Sequence, residues 1–215
     1  MKTLFVKICG ITRPQDAELA SGLGAAALGF VFWPSSPRYI APEVARIIAE
    51  RVPPHVMKVG VFVDEQVEEI ARIVDHVGLD AVQLHGSETP EYSRQLTIRL
   101  SAVARSMTII KSVGVGVTNN GTVNIAEFDS TVVMHVDADD ATLHGGTGRT
   151  VNWDSAREIA LTRPTILAGG LNAANIKLAV RSVRPYGVDV SSGVESAPGV
   201  KDPARLRSFF EALHD

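Results

Sequence analysis

Four pairs of polar residues, each two positions apart, break apolar runs along this chain: Lys7 and Cys9, Gln83 and His85, His135 and Asp137, and Asp189 and Ser191. Between the members of each pair sits an aliphatic residue: Ile8, Leu84, Val136 or Val190. Alternate residues of a strand share a face, so each of these strands has one polar face and one apolar face. The polar faces offer a thiol, two imidazoles, two carboxylates and an ammonium group, types that carry acid–base chemistry. So many titratable groups in a core would be costly unless they are paired or reached by solvent. They either line a reactive cleft or form an internal polar network that only specifies the fold. Cys9 puts the question most sharply. It is the only cysteine, and a buried lone thiol is ordinarily a small core hydrophobe.

Two further stretches are suited to an anion: "LAGGLN" at 167–172 and "VSSGVE" at 190–195. Glycines let the backbone approach a phosphate, and helix-terminal N–H groups supply donors. A third glycine stretch, "HGGTGRTVNW" at 144–153, reads as a flexible turn or as a cover and anion contact beside Asp137.

The elements that must position these groups follow from the apolar runs. β-branched segments at 4–9, 27–32, 57–63, 81–85, 108–113, 131–138, 165–170 and 187–193 predict strands, most of them ending in Gly, Pro, Asp or Ser. Helical patterns alternate with them. The stretch 13–24 has Pro near its start and Gly at its end. The stretch 64–78 sets Val67, Ile70, Ile73, Val74 and Val77 at helical spacing, with Asp64 as N-cap. The stretches 171–183 and 202–214 read the same way, with Asn172 and Asp202 as caps. At 114–126 the pattern predicts only a short or irregular helix.

Eight such strand–helix units predict a parallel sheet. Right-handed crossovers allow an open doubly wound sheet or a (β/α)8 barrel. No GxGxxG follows the first strand, and 215 residues lie within the range of barrel lengths. The favoured reading is α/β, a single-domain (β/α)8 TIM barrel over 1–215, with the open sheet as the alternative. In a barrel the polar faces converge inside, at the C-terminal mouth where such enzymes place their chemistry. The loops after strands seven and eight commonly hold phosphate there.

Composition narrows the class of function. Hydrophobic residues make up 45% and charged residues 21%, with a net charge of −3. No basic cluster interleaved with aromatics appears, so neither nucleic acid nor an anionic membrane is expected as a partner. No apolar run approaches the ~20 residues of a membrane helix. The N-terminal stretch meets charge and Pro too early for a signal peptide. One cysteine forms no internal disulfide, which suits a cytoplasmic protein.

The stretches "KICGIT", "GFVFWPSSPRYI", "VGVFVD", "VQLHG", "VDA" followed by "GGTG", "LAGGL" and "DVSSGVE" run in order from residue 7 to residue 195. Together they resemble the phosphoribosylanthranilate isomerase family of tryptophan biosynthesis. The resemblance implies a (β/α)8 fold, no cofactor, no metal, a small phosphorylated substrate, and assembly as a monomer or homodimer. It implies an Amadori rearrangement with Cys9 and Asp137 as catalytic residues. Arg38, His85 and Asp189 fall on substrate-binding positions, and Gly169, Gly170, Ser192 and Gly193 on the phosphate loops. The chain departs from the family in three places. Asn152 stands where a carboxylate is usual, His135 occupies a site more often aliphatic, and the stretch 111–124 is atypical.

The implied reaction opens a furanose ring and then moves a proton off C2′. Asp137 is the candidate acid for the departing ring oxygen, and Cys9, as thiolate, the candidate base. An ordinary thiol has a pKa of ~8.5 and is mostly protonated at neutral pH. Lys7, roughly 6–7 Å away along the strand, is expected to favour the thiolate, to pair with Asp189 inside the barrel, or both. Trp33 and Tyr39 are placed to flank an aromatic ring or simply to pack. Two other readings stand beside this one. The related histidine-pathway isomerase places a carboxylate where Cys9 stands. A non-catalytic phosphate-ligand sensor has no need of both Cys9 and Asp137.

Overall fold

The structure, a computed structural model, describes residues 4–102, 107–114, 124–137 and 153–214. Eight parallel strands close into a barrel in chain order: β1 (Phe5–Cys9), β2 (Ala27–Val31), β3 (Met57–Phe62), β4 (Ala81–Leu84), β5 (Thr108–Gly114), β6 (Val133–Asp137), β7 (Thr165–Ala168) and β8 (Gly187–Val190). β1 pairs with β2 and with β8, which closes the ring and sets Lys7 beside Asp189 in register. The open-sheet alternative is thereby excluded. The strands match the β-branched runs closely. The largest difference is at β8, where the Gly- and Ser-containing tail of the run leaves the sheet to form a 3-10 turn over Ser192–Val194.

Among the described residues seven helices surround the barrel: α1 (Pro14–Gly22), α2 (Pro42–Ala49), α3 (Val67–Val77), α4 (Pro90–Ser101), α5 (Trp153–Ala160), α6 (Ile176–Val183) and α7 (Pro203–His214). Four of them open on Pro, whose fixed φ and missing N–H suit a first helical turn. Between β5 and β6 the described residues hold a 3-10 turn over Ile125–Glu127; most of the stretch 114–126, where a short or irregular helix is expected, lies outside them. Residues 115–123 lie outside the described residues. So do residues 138–152, and with them most of the third glycine stretch and the Asn152 departure.

Of the three expected caps, Asp202 acts as one, accepting from the amides of Ala204 at 2.8 Å and Arg205 at 3.0 Å. The other two are corrected. The residue capping α3 is Gln66, without a side-chain bond. Asp64 instead turns its carboxylate to the next loop, where Oδ1 accepts from Ser87 N at 2.7 Å and Ser87 Oγ at 2.8 Å. Asn172 closes the turn before α6: its Oδ1 accepts from Ala174 N, and Asn175 Oδ1 accepts from Asn172 N, both at 2.9 Å. In both cases a bond across loops or within a turn wins over the local cap.

Two apolar regions carry the fold. Between the strands and helices lie Ile8, Leu28, Phe30, Leu84, Val136 and Val190, packed with Ile48, Ile70, Leu96 and Phe209. Inside the barrel, a smaller cluster of Ala27, Val59, Ala81, Ile110 and Ile166 fills the lower part. Above it the inward positions turn polar: Lys7, Gln83, Ser112, His135 and Asp189. Strand parity thus sorts each strand as expected, with aliphatic residues outward and functional groups inward. After β8 a short hairpin not anticipated from sequence, β9 (Glu195–Ala197) and β10 (Val200–Lys201), folds back towards the barrel mouth.

Candidate active site

A cavity of about 490 Å³ opens at the C-terminal mouth of the barrel. It brings together Cys9, Arg38, His85, Asp137, Asp189 and the loop residues Gly169, Gly170 and Ser192. Gly193 does not line it. It sits just behind, where any side chain would collide with the Leu171 carbonyl, so the loops after β7 and β8 touch backbone to backbone. Trp33 lines the cavity, whereas Tyr39 forms an isolated bridge to Val31. A larger hollow, about 920 Å³, lies between residues 125–128 and 159–164 and contains none of the candidate residues.

The strand ends place each group. Cys9 ends β1, and Gly29 in β2 makes room beside it: a Cβ there would stand 2.8 Å from Cys9 Sγ and 3.1 Å from Lys7 Nζ. Lys7, fully buried, donates to Asp189 Oδ2 at 2.8 Å, the interior ion pair expected from sequence. His135 Nε2 lies 2.9 Å from the same oxygen. Ser112 Oγ lies 3.1 Å from His135 Nδ1 and 2.9 Å from His85 Nδ1. Gln83 Nε2 lies 3.0 Å from Ser112 Oγ and 3.2 Å from His85 Nδ1. A continuous polar floor therefore runs from β1 through β8, β6 and β5 to β4. Asp189 Oδ1 and Gln83 Oε1 are buried and take no hydrogen bond among the described residues.

The charges on this floor follow from competition between burial and pairing. For Lys7, burial favours the neutral amine, but Asp189 and Cys9 outweigh it and the ammonium is kept. For Asp189, burial favours the acid, but Lys7 and His135 outweigh it and the carboxylate is held well below its usual range. Cys9 goes the other way. Burial pushes its thiol up, Lys7 opposes this, Asp189 adds to it, and burial prevails. The expectation that Lys7 favours the thiolate is right in sign, but the free protein holds a protonated thiol. Burial, with the charges of His135 and Lys7, pulls His85 down to about 4, so its imidazole is neutral at pH 7.

A second cluster stands behind the mouth. Arg38 donates from Nε to Glu195 Oε1 at 3.0 Å and from Nη2 to Oε2 at 2.6 Å. Lys201 Nζ donates to Glu195 Oε1 at 2.8 Å and to the Cys9 carbonyl. Glu195 thus holds the arginine through a forked contact, and Lys201 ties that contact to the end of β1. Sequence reasoning missed Ser112, Glu195 and Lys201. Ser112 shares the inward parity of Ile110 and was open to discovery by that rule. Glu195 stands in "DVSSGVE" but nothing local marks its partner, and Lys201 carries no local signal at all.

At the opposite side the loop after β7 turns through Gly169 and Gly170, at φ 92° and 56°, a region that favours glycine. The Gly170 carbonyl is held by Asn172 Nδ2 at 3.1 Å and Asn175 Nδ2 at 3.0 Å. These bonds brace the loop internally, and its Leu171 carbonyl packs against Gly193 in the 3-10 turn at Ser192–Val194.

A closed eight-stranded barrel with a thiol, carboxylates and imidazoles at its C-terminal mouth belongs to the class of (β/α)8-barrel enzymes that work by acid–base groups. The family profile described as N-(5′-phosphoribosyl)anthranilate (PRA) isomerase matches residues 6–212. An N-(5′-phosphoribosyl)anthranilate isomerase of Desulforudis audaxviator is 46% identical over 211 residues, 98% of either chain. A crystal structure of phosphoribosyl anthranilate isomerase in complex with reduced 1-(o-carboxyphenylamino)-1-deoxyribulose 5-phosphate is 38% identical, with a TM-score of 0.81 over 99% of both chains. The enzyme from Thermotoga maritima is 39% identical, with a TM-score of 0.83 over 99% of both. The chain belongs to the phosphoribosylanthranilate isomerase family.

Proposed function

We propose that this chain isomerises N-(5′-phosphoribosyl)anthranilate to 1-(2-carboxyphenylamino)-1-deoxy-D-ribulose 5-phosphate, the Amadori step of tryptophan biosynthesis. The observation that carries this reading is the convergence of Cys9 and Asp137 on one barrel mouth in a member of this family. Asp137, as the acid, gives its proton to the furanose ring oxygen. The anthranilate nitrogen pushes the C1′–O bond open and becomes doubly bonded to C1′. Cys9, as thiolate, then removes the proton from C2′. That electron pair forms C1′=C2′ and the C1′=N pair returns to nitrogen. The enolamine gains a proton at C1′ and loses one from the C2′ hydroxyl, leaving the ketone. Substrate and product are isomers, so acid–base groups suffice and no cofactor or metal is assigned.

Lys7 has a specific part in this scheme. Since burial keeps the Cys9 thiol protonated, the thiolate depends on the neighbouring ammonium. We assign the phosphate to the corner formed by Gly169, Gly170, Ser192 and Gly193, through backbone N–H groups. Arg38 faces the anthranilate carboxylate, Trp33 its ring, and His85 and Asp189 the sugar. The chain acts as one catalytic domain, cytoplasmic, as a monomer or homodimer. No described helix is long and apolar enough to cross a membrane. The test is incubation with freshly generated phosphoribosylanthranilate, following loss of anthranilate-type fluorescence. Turnover is expected. Affinity without turnover would mark a binding module and overturn the reading.

A further inference from the structure

We propose that Gln83 is a positioning residue which, by donating to Nδ1 of His85, fixes His85 as a neutral imidazole protonated on Nε2, so that His85 meets a sugar oxygen as a hydrogen-bond donor. This deepens the reading above and rests on it only for the contact with substrate.

The assignment follows from which atoms can donate. A carboxylate oxygen only accepts, so His135 Nε2, 2.9 Å from Asp189 Oδ2, carries a proton. An amide nitrogen only donates, so Ser112 Oγ and His85 Nδ1, at 3.0 Å and 3.2 Å from Gln83 Nε2, both accept there. Turning the Gln83 amide over would leave two buried N–H groups without partners in place of one buried carbonyl oxygen, a costlier state. The Ser112 proton goes to His135 Nδ1 at 3.1 Å or to His85 Nδ1 at 2.9 Å, and in either case His85 Nδ1 accepts. Lys7 and His135 donate to Asp189, and Gln83 donates to Ser112 and His85. A neutral His85 has only Nε2 left for its own proton.

His85 lines the cavity mouth with part of its side chain open to solvent, while Nδ1 faces the floor. The groups acting on it are His135, Lys7, Asp137 and Asp189, and with burial they hold it neutral at pH 7. It offers the cavity a hydrogen-bond donor and no charge. An aliphatic residue at 135 would leave the Ser112 proton to His85 Nδ1, which accepts as before, and leave Asp189 with Lys7 alone.

The tautomer is read directly from long-range 1H–15N spectra of free protein labelled with 15N-histidine, the His85 signals being assigned by their loss in His85→Gln. At neutral pH His85 is expected as the Nε2–H form. Gln83→Glu replaces the donor by an acceptor of the same shape and should move the His85 proton to Nδ1, with kcat/KM falling roughly tenfold to a hundredfold. His135→Leu should leave the His85 tautomer unchanged, because Gln83 still donates to Nδ1. If His135→Leu does not fold, the wild-type and Gln83→Glu spectra still decide. A wild-type His85 that is Nδ1–H or doubly protonated overturns the proposal, as does an unchanged tautomer in Gln83→Glu. Because the spectra need no substrate, absence of wild-type turnover would refute the isomerase reading and leave the tautomer assignment standing.

Discussion

Lys7 and Lys111 are both fully buried and each pairs with a carboxylate, but one pair is saturated and the other is not. Lys111, on the outer face of β5, donates to Glu88 Oε2 at 2.6 Å and to the Gly86 carbonyl at 2.7 Å. Glu88 also accepts from the amides of Asp64 and Gly86, at 2.9 Å each. The pair locks the loop after β3 to the loop after β4, just beyond His85. Lys7, on the inner face of β1, shares Asp189 Oδ2 with His135, while Asp189 Oδ1 stays unbonded among the described residues and Cys9 lies beside the ammonium. A saturated buried pair holds chain segments in place. An unsaturated one keeps charge available to a neighbouring group, here the thiol that must ionise.

The largest expected effects fall on the groups that the unsaturated pair serves. Cys9→Ala and Asp137→Asn should each lower kcat by about 10²–10⁴ or more while thermal unfolding stays close to wild type. A Cys9→Ala variant with near-normal kcat would reduce the inner pair to a support for a packed thiol. Next is the saturated pair. Lys111→Met leaves a buried carboxylate without its cation, and breaking such a pair costs about 3–5 kcal/mol. Denaturant titration should show that loss, with kcat of the folded fraction near wild type. Unchanged stability would remove the distinction between the two pairs.

Glu195→Gln should act on binding more than on chemistry. It weakens the charged contact that holds Arg38, worth about 1.5–3 kcal/mol, so KM should rise roughly tenfold with kcat little changed. A fall in kcat alone would place Arg38 outside substrate binding. The smallest effect concerns pH. His85 has its ordinary value of 6.5 in the unfolded chain and about 4 in the fold. The unfolded state therefore takes up the proton first as pH drops. This contribution to stability is present above about 6.5 and is lost as pH falls through about 4. His85→Gln should flatten the acid limb of a stability-versus-pH curve, and an unaltered limb would contradict the neutral assignment.

Much of this arrangement was legible in the sequence, because strand parity is a local property. Lys7, Cys9, Gln83, His85, His135 and Asp137 could be placed inward from single strands, and the Lys7–Asp189 pair followed from two of them. The caps at Asp64 and Asn172 were misread because their side chains bond to Ser87 and to a neighbouring turn, and propensity alone does not weigh such competitors. Lys201 was invisible because its carbonyl partner, Cys9, lies 192 residues away. The further upward push that burial gives the Cys9 thiol was equally hidden. Spacing gives the distance to Lys7, but the burial that opposes it belongs to the closed barrel.

The dependence of the Cys9 thiolate on Lys7 is tested most directly by the pH profile of iodoacetamide labelling in the wild type and in Lys7→Met. With one cysteine in the chain, labelling reports that site alone. Lys7→Met keeps most of the side-chain stem and removes the charge. The midpoint is expected to move to higher pH by about one to two units, so that at a fixed mildly alkaline pH the labelling rate drops about tenfold or more. A profile that does not move would mean that Lys7 serves only the ion pair with Asp189 and that the thiolate arises from another neighbour.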